Sequence, residues 1–319
     1  MKSTKFIALA LFALISTTAH AAPTLQFGFN ETGTTSTSTG TVADVLSTIN
    51  GSGTAIDIHT AAGGGVAGDI VGHSLFGIDR GLAFNGNSIA FNSTSTVVSG
   101  FSSWTVSGWY KSGNPATTGL TAGGALFQSP GNSGFGSKGF AVRGEGTLKD
   151  LRIGVVGTTG SAGTSLATNH FDDLNTWTFF AVTYDGTLTS NNVKIYQGFR
   201  NATEAAGNPF GVTLVDTATV NAGTALATIG YSLGARFGDA NLYSGTFAST
   251  VTAVYDNFRI EGVTSGNGGV LNLAALEAYR SGDIAVAAAV PEPGTFATIG
   301  LLGIAIAWKQ RRKKFAGDR

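Results

Sequence analysis

Paired carboxylates come first among residues that could do chemistry. A general acid and a nucleophile held about 5–5.5 Å apart hydrolyse glycosidic bonds with retention. The nearest pairs are Glu145 with Asp150 and Asp256 with Glu261. A spacing of five sets the two members on opposite faces of one strand, and no E-x-D-x-x-E string occurs. The string GYSLG at 230–234 fits a nucleophile elbow around Ser232, but ARFGD follows it where that turn needs a helix. GFGSKG at 134–139 fits a dinucleotide-binding loop without a βαβ unit to present a helix N-terminus. His59, His73 and His170 stand alone in polar stretches, which leaves Ser232 without a base and a metal without a histidine cluster. With no cysteine, thiolate metal sites and redox chemistry are excluded. These residues read as a chain that is not an enzyme.

The elements that would hold any site are strands. Forty-seven glycines and only 12 % charged residues in 319 suit short strands joined by tight turns and argue against a helical bundle. Alternation predicts a first strand over 25–29, and Trp104 to Tyr110 sends Trp104, Val106, Gly108 and Tyr110 to one face and Thr105, Ser107 and Trp109 to the other. Residues 81–84 and 89–91 flank Asn85-Gly86-Asn87 and predict a hairpin. Short apolar runs follow at 125–127, 140–143 and 151–156. The segment 177–184 is apolar on both faces, as in a covered central strand, with Val193 to Tyr196 as its partner. Further strands are expected at 225–229 and within 246–260, and one helix at 273–280 with Leu273, Leu276 and Arg280 on one side and Gly282 past its end. Residues 31–73 read as a surface excursion around at most one short element, 42–49.

Formal charge is zero, and the clustered Lys and Arg lie at the C-terminus, so a nucleic-acid partner is excluded. Trp109, Tyr110, Tyr231 and Tyr243 could stack on sugar rings, although core packing is the commoner fate of aromatic residues in strands.

The ordered series GLAFNG (81–86), WTVSGW (104–109), WTFFAVTYDG (177–186), VKIY (193–196), TIG (228–230) and YDNFRI (255–260), with the helix after it, resembles LamG-like, concanavalin A-like domains. The resemblance implies an all-β jelly-roll sandwich over residues 22–284 with one short helix near its end. It also implies carbohydrate binding, and a structural Ca2+ held between Glu31 and Asp256. Oxygen ligands suit that ion, and Asn30, Asn257 and backbone carbonyls could add to them.

Both ends read as signals. Lys2 and Lys5, the apolar run 6–15 and the small-x-small Ala19, His20, Ala21 form a signal peptide over 1–21, cut by signal peptidase before Ala22. Residues 285–319 hold Pro291, Glu292 and Pro293, an apolar run over 295–308, and a basic cluster with Arg311, Arg312, Lys313 and Lys314. The run is short for a permanent span of a ~30 Å core, which takes about 20 residues. This order resembles the PEP-CTERM tail that exosortases of Gram-negative bacteria cleave. It implies a transient helix in the inner membrane with the basic end in the cytoplasm, then transfer to the cell surface or extracellular matrix. The sequence thus points to an exported, non-catalytic domain that binds extracellular polysaccharide. The alternatives are a purely structural envelope or biofilm component and, behind it, a lectin-fold glycoside hydrolase.

Overall fold

The computed structural model describes residues 22–31, 33–50, 54–55, 80–85, 88–112, 125–130, 139–145, 150–166, 176–234 and 252–288. The strands are β1 (Leu25–Phe27), β2 (Thr35–Thr37), β3 (Val45–Asn50), β4 (Leu82–Asn85), β5 (Ser88–Asn92), β6 (Ser103–Ser112), β7 (Ala125–Pro130) and β8 (Gly139–Glu145). They continue with β9 (Asp150–Gly157), β10 (Gly160–Leu166), β11 (Thr178–Asp185), β12 (Val193–Phe199), β13 (Thr213–Ala218), β14 (Tyr231–Leu233) and β15 (Thr252–Val263). A helix, α1 (Leu273–Ala288), follows.

Sheet I runs β1-β15-β6-β11-β12-β13, with β4 also paired to β15, and sheet II runs β10-β9-β8-β7-β14-β5-β3-β2. All pairings between these strands are antiparallel. The inward residues of both sheets form one core that includes Phe27, Trp104, Tyr110, Phe127, Phe140, Phe180, Tyr231, Tyr255 and Phe258. This is an all-β sandwich of two antiparallel sheets with its helix near the end, as the sequence implied.

The parity read for β6 holds. Trp104, Val106 and Tyr110 enter the central core, while Trp109 joins Trp177, Phe179, Ala181, Tyr196, Val212 and Leu276 on the outer side of sheet I. That second cluster explains why β11 is buried on both faces: α1 covers the outside of the sheet.

Four local expectations are corrected. Strands β4 and β5 do not form a hairpin, because β4 pairs with β15 in sheet I whereas β5 pairs with β3 and β14 in sheet II. The 31–73 segment holds two strands, β2 and β3, not one. The alternation at Thr35–Thr37 was hidden because a buried serine, Ser36, takes the place of an apolar residue. The strand expected over 225–229 is only an isolated bridge between Ala225 and Gly157, and β14 starts at Tyr231.

Helix α1, finally, runs through Gly282 to Ala288, past the expected domain end at residue 284. Its start is capped by Asn272, whose Oδ1 accepts the Ala275 N–H at 2.9 Å. Leu276 and Arg280 face inward, but Leu273, in the first turn, is 46 % exposed. The helix outlasts the glycine because Asp283, the next residue, is held by sheet I.

Candidate ligand-binding face

The outer face of sheet I is closed by α1 over a buried polar cluster. Asp283 Oδ2 accepts the Trp109 Nε1–H at 2.8 Å and Arg259 Nη1–H at 2.8 Å, and Arg259 Nη2 also donates to Oδ1. Burial alone would lower the Arg259 pKa, but the Asp283 carboxylate overrides it and holds the guanidinium more firmly charged than usual. The Arg259 guanidinium lies 4.8 Å from the centre of the Tyr279 ring, and the Tyr279 hydroxyl donates to Glu261.

Sheet II presents its outer face differently. Strand register lines up Ser47, Phe91, Ser232, Gln128, Ala141, Gly154 and Gly163 across seven strands. Their neighbours Ala90, Leu233, Phe140 and Ile153 point into the core, so this row belongs to the outer face. Ser232 and Gln128 are fully buried there, and Ser232 Oγ has no hydrogen-bond partner among the described residues. A buried hydroxyl left so calls for an explanation. One step along the strands, Arg143 of β8 and Arg152 of β9 are direct register partners, both half-buried. Like charges directly opposite on a sheet repel, and each of the two arginines is already engaged within the protein. The two arginines were legible only through the β8–β9 hairpin: they stand symmetrically in sequence about residues 146–149, which separate the two strands.

The same hairpin overturns the parity argument for the carboxylates. Glu145 and Asp150 are register partners on adjacent strands, not members of one strand. Asp256 and Glu261 do share β15, but a bulge adds one residue between Asp256 and Arg259, with Asn257 at φ 41°. Asp256 therefore pairs with Trp109 and Glu261 with Thr105, both on the outer face. Gly108 makes room for the bulge: a Cβ there would lie 3.1 Å from Phe258 Cα.

Glu31 and Asp256, the residues expected to hold calcium, both have protein partners. Glu31 accepts from Ser36 Oγ at 3.1 and 3.2 Å and from the Thr37 N–H at 2.9 Å, which ties it to β2. Asp256 is fully buried, accepts the Asn257 N–H at 2.7 Å and contributes to the charge that stabilises Arg259. Neither belongs to a group of three or more His, Asp or Glu residues among those described.

Ser232 lies within β14, paired on both sides, so it is not at an elbow. Trp109, Tyr110 and Tyr231 are core residues. Tyr243, His59, His73, His170, residues 134–138, the signal peptide and the whole tail, including Pro291, Glu292, Pro293, Arg311, Arg312, Lys313 and Lys314, lie outside the described residues. Among the described residues no helix is long and apolar enough to cross a membrane.

A family model for the PEP-CTERM protein-sorting motif matches residues 289–313. The chain carries an exosortase sorting signal. It is therefore an exported protein, processed by exosortase, with a transient membrane association at its C-terminus. No curated protein matches the sequence.

Among solved structures, the chain is similar to the botulinum neurotoxin serotype G binding domain, with TM-score 0.42, 11 % identity, 82 % of this chain and 51 % of that chain covered. It is similar to a heptameric SAP-like pentraxin from Limulus polyphemus, with TM-score 0.34, 13 % identity and coverages of 55 % and 70 %. It is also similar to a GH54 α-L-arabinofuranosidase, with TM-score 0.45, 10 % identity and coverages of 82 % and 61 %. The chain spans about half the length of the neurotoxin chain.

Proposed function

We propose that this exported protein of a Gram-negative bacterium reaches the cell surface or extracellular matrix, and that its sandwich binds an extracellular polysaccharide without cleaving it. The observation that carries this reading is the outer face of sheet II. There a half-buried aromatic ring, Phe91, and two half-buried arginines, Arg143 and Arg152, flank a row at Gln128 and Ser232 that is itself fully buried. Sugars are recognised by such combinations, an apolar surface for the ring face and fixed donors for hydroxyls or carboxylates.

Two measurements test the reading. Intact mass of the protein from surface and medium fractions of its host should begin near Ala22 and end near Pro291 to Pro293; retention of 296–319 would instead mean an inner-membrane anchor. A glycan array probed with the mature protein should show binding that Phe91→Ala and Arg143→Gln each weaken about tenfold, the effect of about 1.4 kcal/mol. A flat array with intact folding would favour a purely structural component. The register pairing of Glu145 with Asp150 gives the hydrolase reading its one support. Release of reducing ends from a bound glycan, abolished by Glu145→Gln, would establish it.

A further inference from the structure

A sheet edge exposes a row of unpaired N–H and C=O groups, and folded proteins blunt such edges by shortness, charge, proline or bulges. Most edges of this sandwich are blunted. Strands β1 and β2 have three residues each and β4 has four. Strand β13 carries Asp216 and a register shift against β12 that leaves Val215 as an extra residue. Among the described residues β10, the outer strand of sheet II with β13 of sheet I beside it, has none of these devices. Its seven residues, GSAGTSL, hold no charge and no proline, and they pair with β9 in unbroken register from Gly160 to Leu166.

The edge is also held in place. Thr158 and Thr159, the turn between β9 and β10, donate their N–H groups to Thr224 and Ala222 carbonyls at 2.9 and 3.0 Å. Gly157 and Gly160 close this two-residue hairpin, so they exchange both ladder bonds. Bonding then alternates, and the N–H and C=O groups of Ser161, Gly163 and Ser165 point away from β9.

We propose that β10 pairs antiparallel with β10 of a second copy of this chain, making one continuous sheet across a twofold axis at Gly163. The free groups select that register, because hydrogen-bonded pairs must form from Ser161 to Ser165 and from Gly163 to Gly163, about six bonds in all. In that register Ser161 comes opposite Ser165, Ala162 opposite Thr164 and Gly160 opposite Leu166, all uncharged, so like-charge repulsion does not oppose contact. The contact is smaller than a standard interface and is weak in dilute solution. At a cell surface or in a matrix, where copies are crowded, it would join them into pairs.

Sedimentation velocity of the mature protein without any glycan, up to about 1 mM, tests this. A concentration-dependent dimer is expected. Gly163→Pro removes a central donor without touching the β9 ladder, and Ser165→Lys places a charge opposite Ser161; each should weaken dimerisation at least about tenfold with the melting temperature retained. If Gly163→Pro fails to fold, Ser165→Lys decides. A wild-type protein that stays monomeric throughout, or a dimer indifferent to Ser165→Lys, overturns the proposal. Glycan binding is read separately and does not bear on the result.

Discussion

Trp109 and Asp283 lie 174 positions apart, yet the indole N–H donates to the carboxylate at 2.8 Å beneath α1. Because Asp283 also takes Arg259, one residue of the last helix fastens two strands of sheet I, β6 and β15. Removing one partner of a buried ion pair leaves the other charge uncompensated, at a cost of about 3–5 kcal/mol. Asp283→Ala should therefore lose that much in urea unfolding. Trp109→Phe, which removes the indole bond to Asp283 and some volume but leaves the Asp283–Arg259 pair, should lose less, and the double variant should lose less than the sum.

How much of this was legible in the sequence depended on whether a signal was local. The parity of Trp104 to Tyr110, the partnership of β11 with β12 and the presence and start of the last helix, though not its end, follow from alternation or helical spacing. The Asn85-Gly86-Asn87 hairpin was misread because turn chemistry says that the chain turns, not which sheet it enters next. The outer face of sheet II was invisible because its row draws single residues from seven strands, and only register brings Phe91, Ser232 and Gln128 together. Asp283 carried no signal at all, since its partners lie on distant strands.

Gly108 should prove sensitive. A methyl group there would meet Phe258 Cα at 3.1 Å and the carbonyls of Asn257 and Asp256 at 3.3 Å, all backbone atoms that cannot swing aside. Gly108→Ala is expected to cost about 1–3 kcal/mol by thermal unfolding. Gly100→Ala, a control with open space around it but φ 69°, tests backbone strain alone.

Two glutamates should respond to pH in opposite senses. Burial pushes the Glu277 carboxyl up, but bonds from Arg280 and the Val212 N–H, with the Arg280 charge, win and hold it below its ordinary value. A depressed folded pKa stabilises the fold above the unfolded value, and that contribution is lost as pH falls through the folded one. Glu277→Gln should lower the melting temperature at pH 7, with the gap closing below about pH 4; the group is 39 % exposed, so solvent limits the effect to about 1 kcal/mol. For Glu261, burial raises the pKa and outweighs the Tyr279 hydroxyl and the Arg259 charge. Its ionisation opposes folding once pH exceeds the ordinary carboxylate range, so Glu261→Gln should raise the melting temperature at pH 7 and change little at pH 4.

The carboxylates once expected to hold calcium give the last test. Glu31 is satisfied by Ser36 and Thr37, and Asp256 sits buried with Asn257 and the Arg259 charge, so each already has compensation from the protein. An ion bound only by the folded state would raise the melting temperature as its concentration rises, by about 2.7 kcal/mol at a hundredfold excess over Kd. The melting temperature of the mature protein should instead be the same in chelator and in millimolar calcium. Glu31→Gln should be only mildly destabilising, because an amide oxygen can still accept from Ser36 and the Thr37 N–H. A calcium-dependent rise that disappears in Glu31→Gln would show that these oxygens turn to an ion when one is offered.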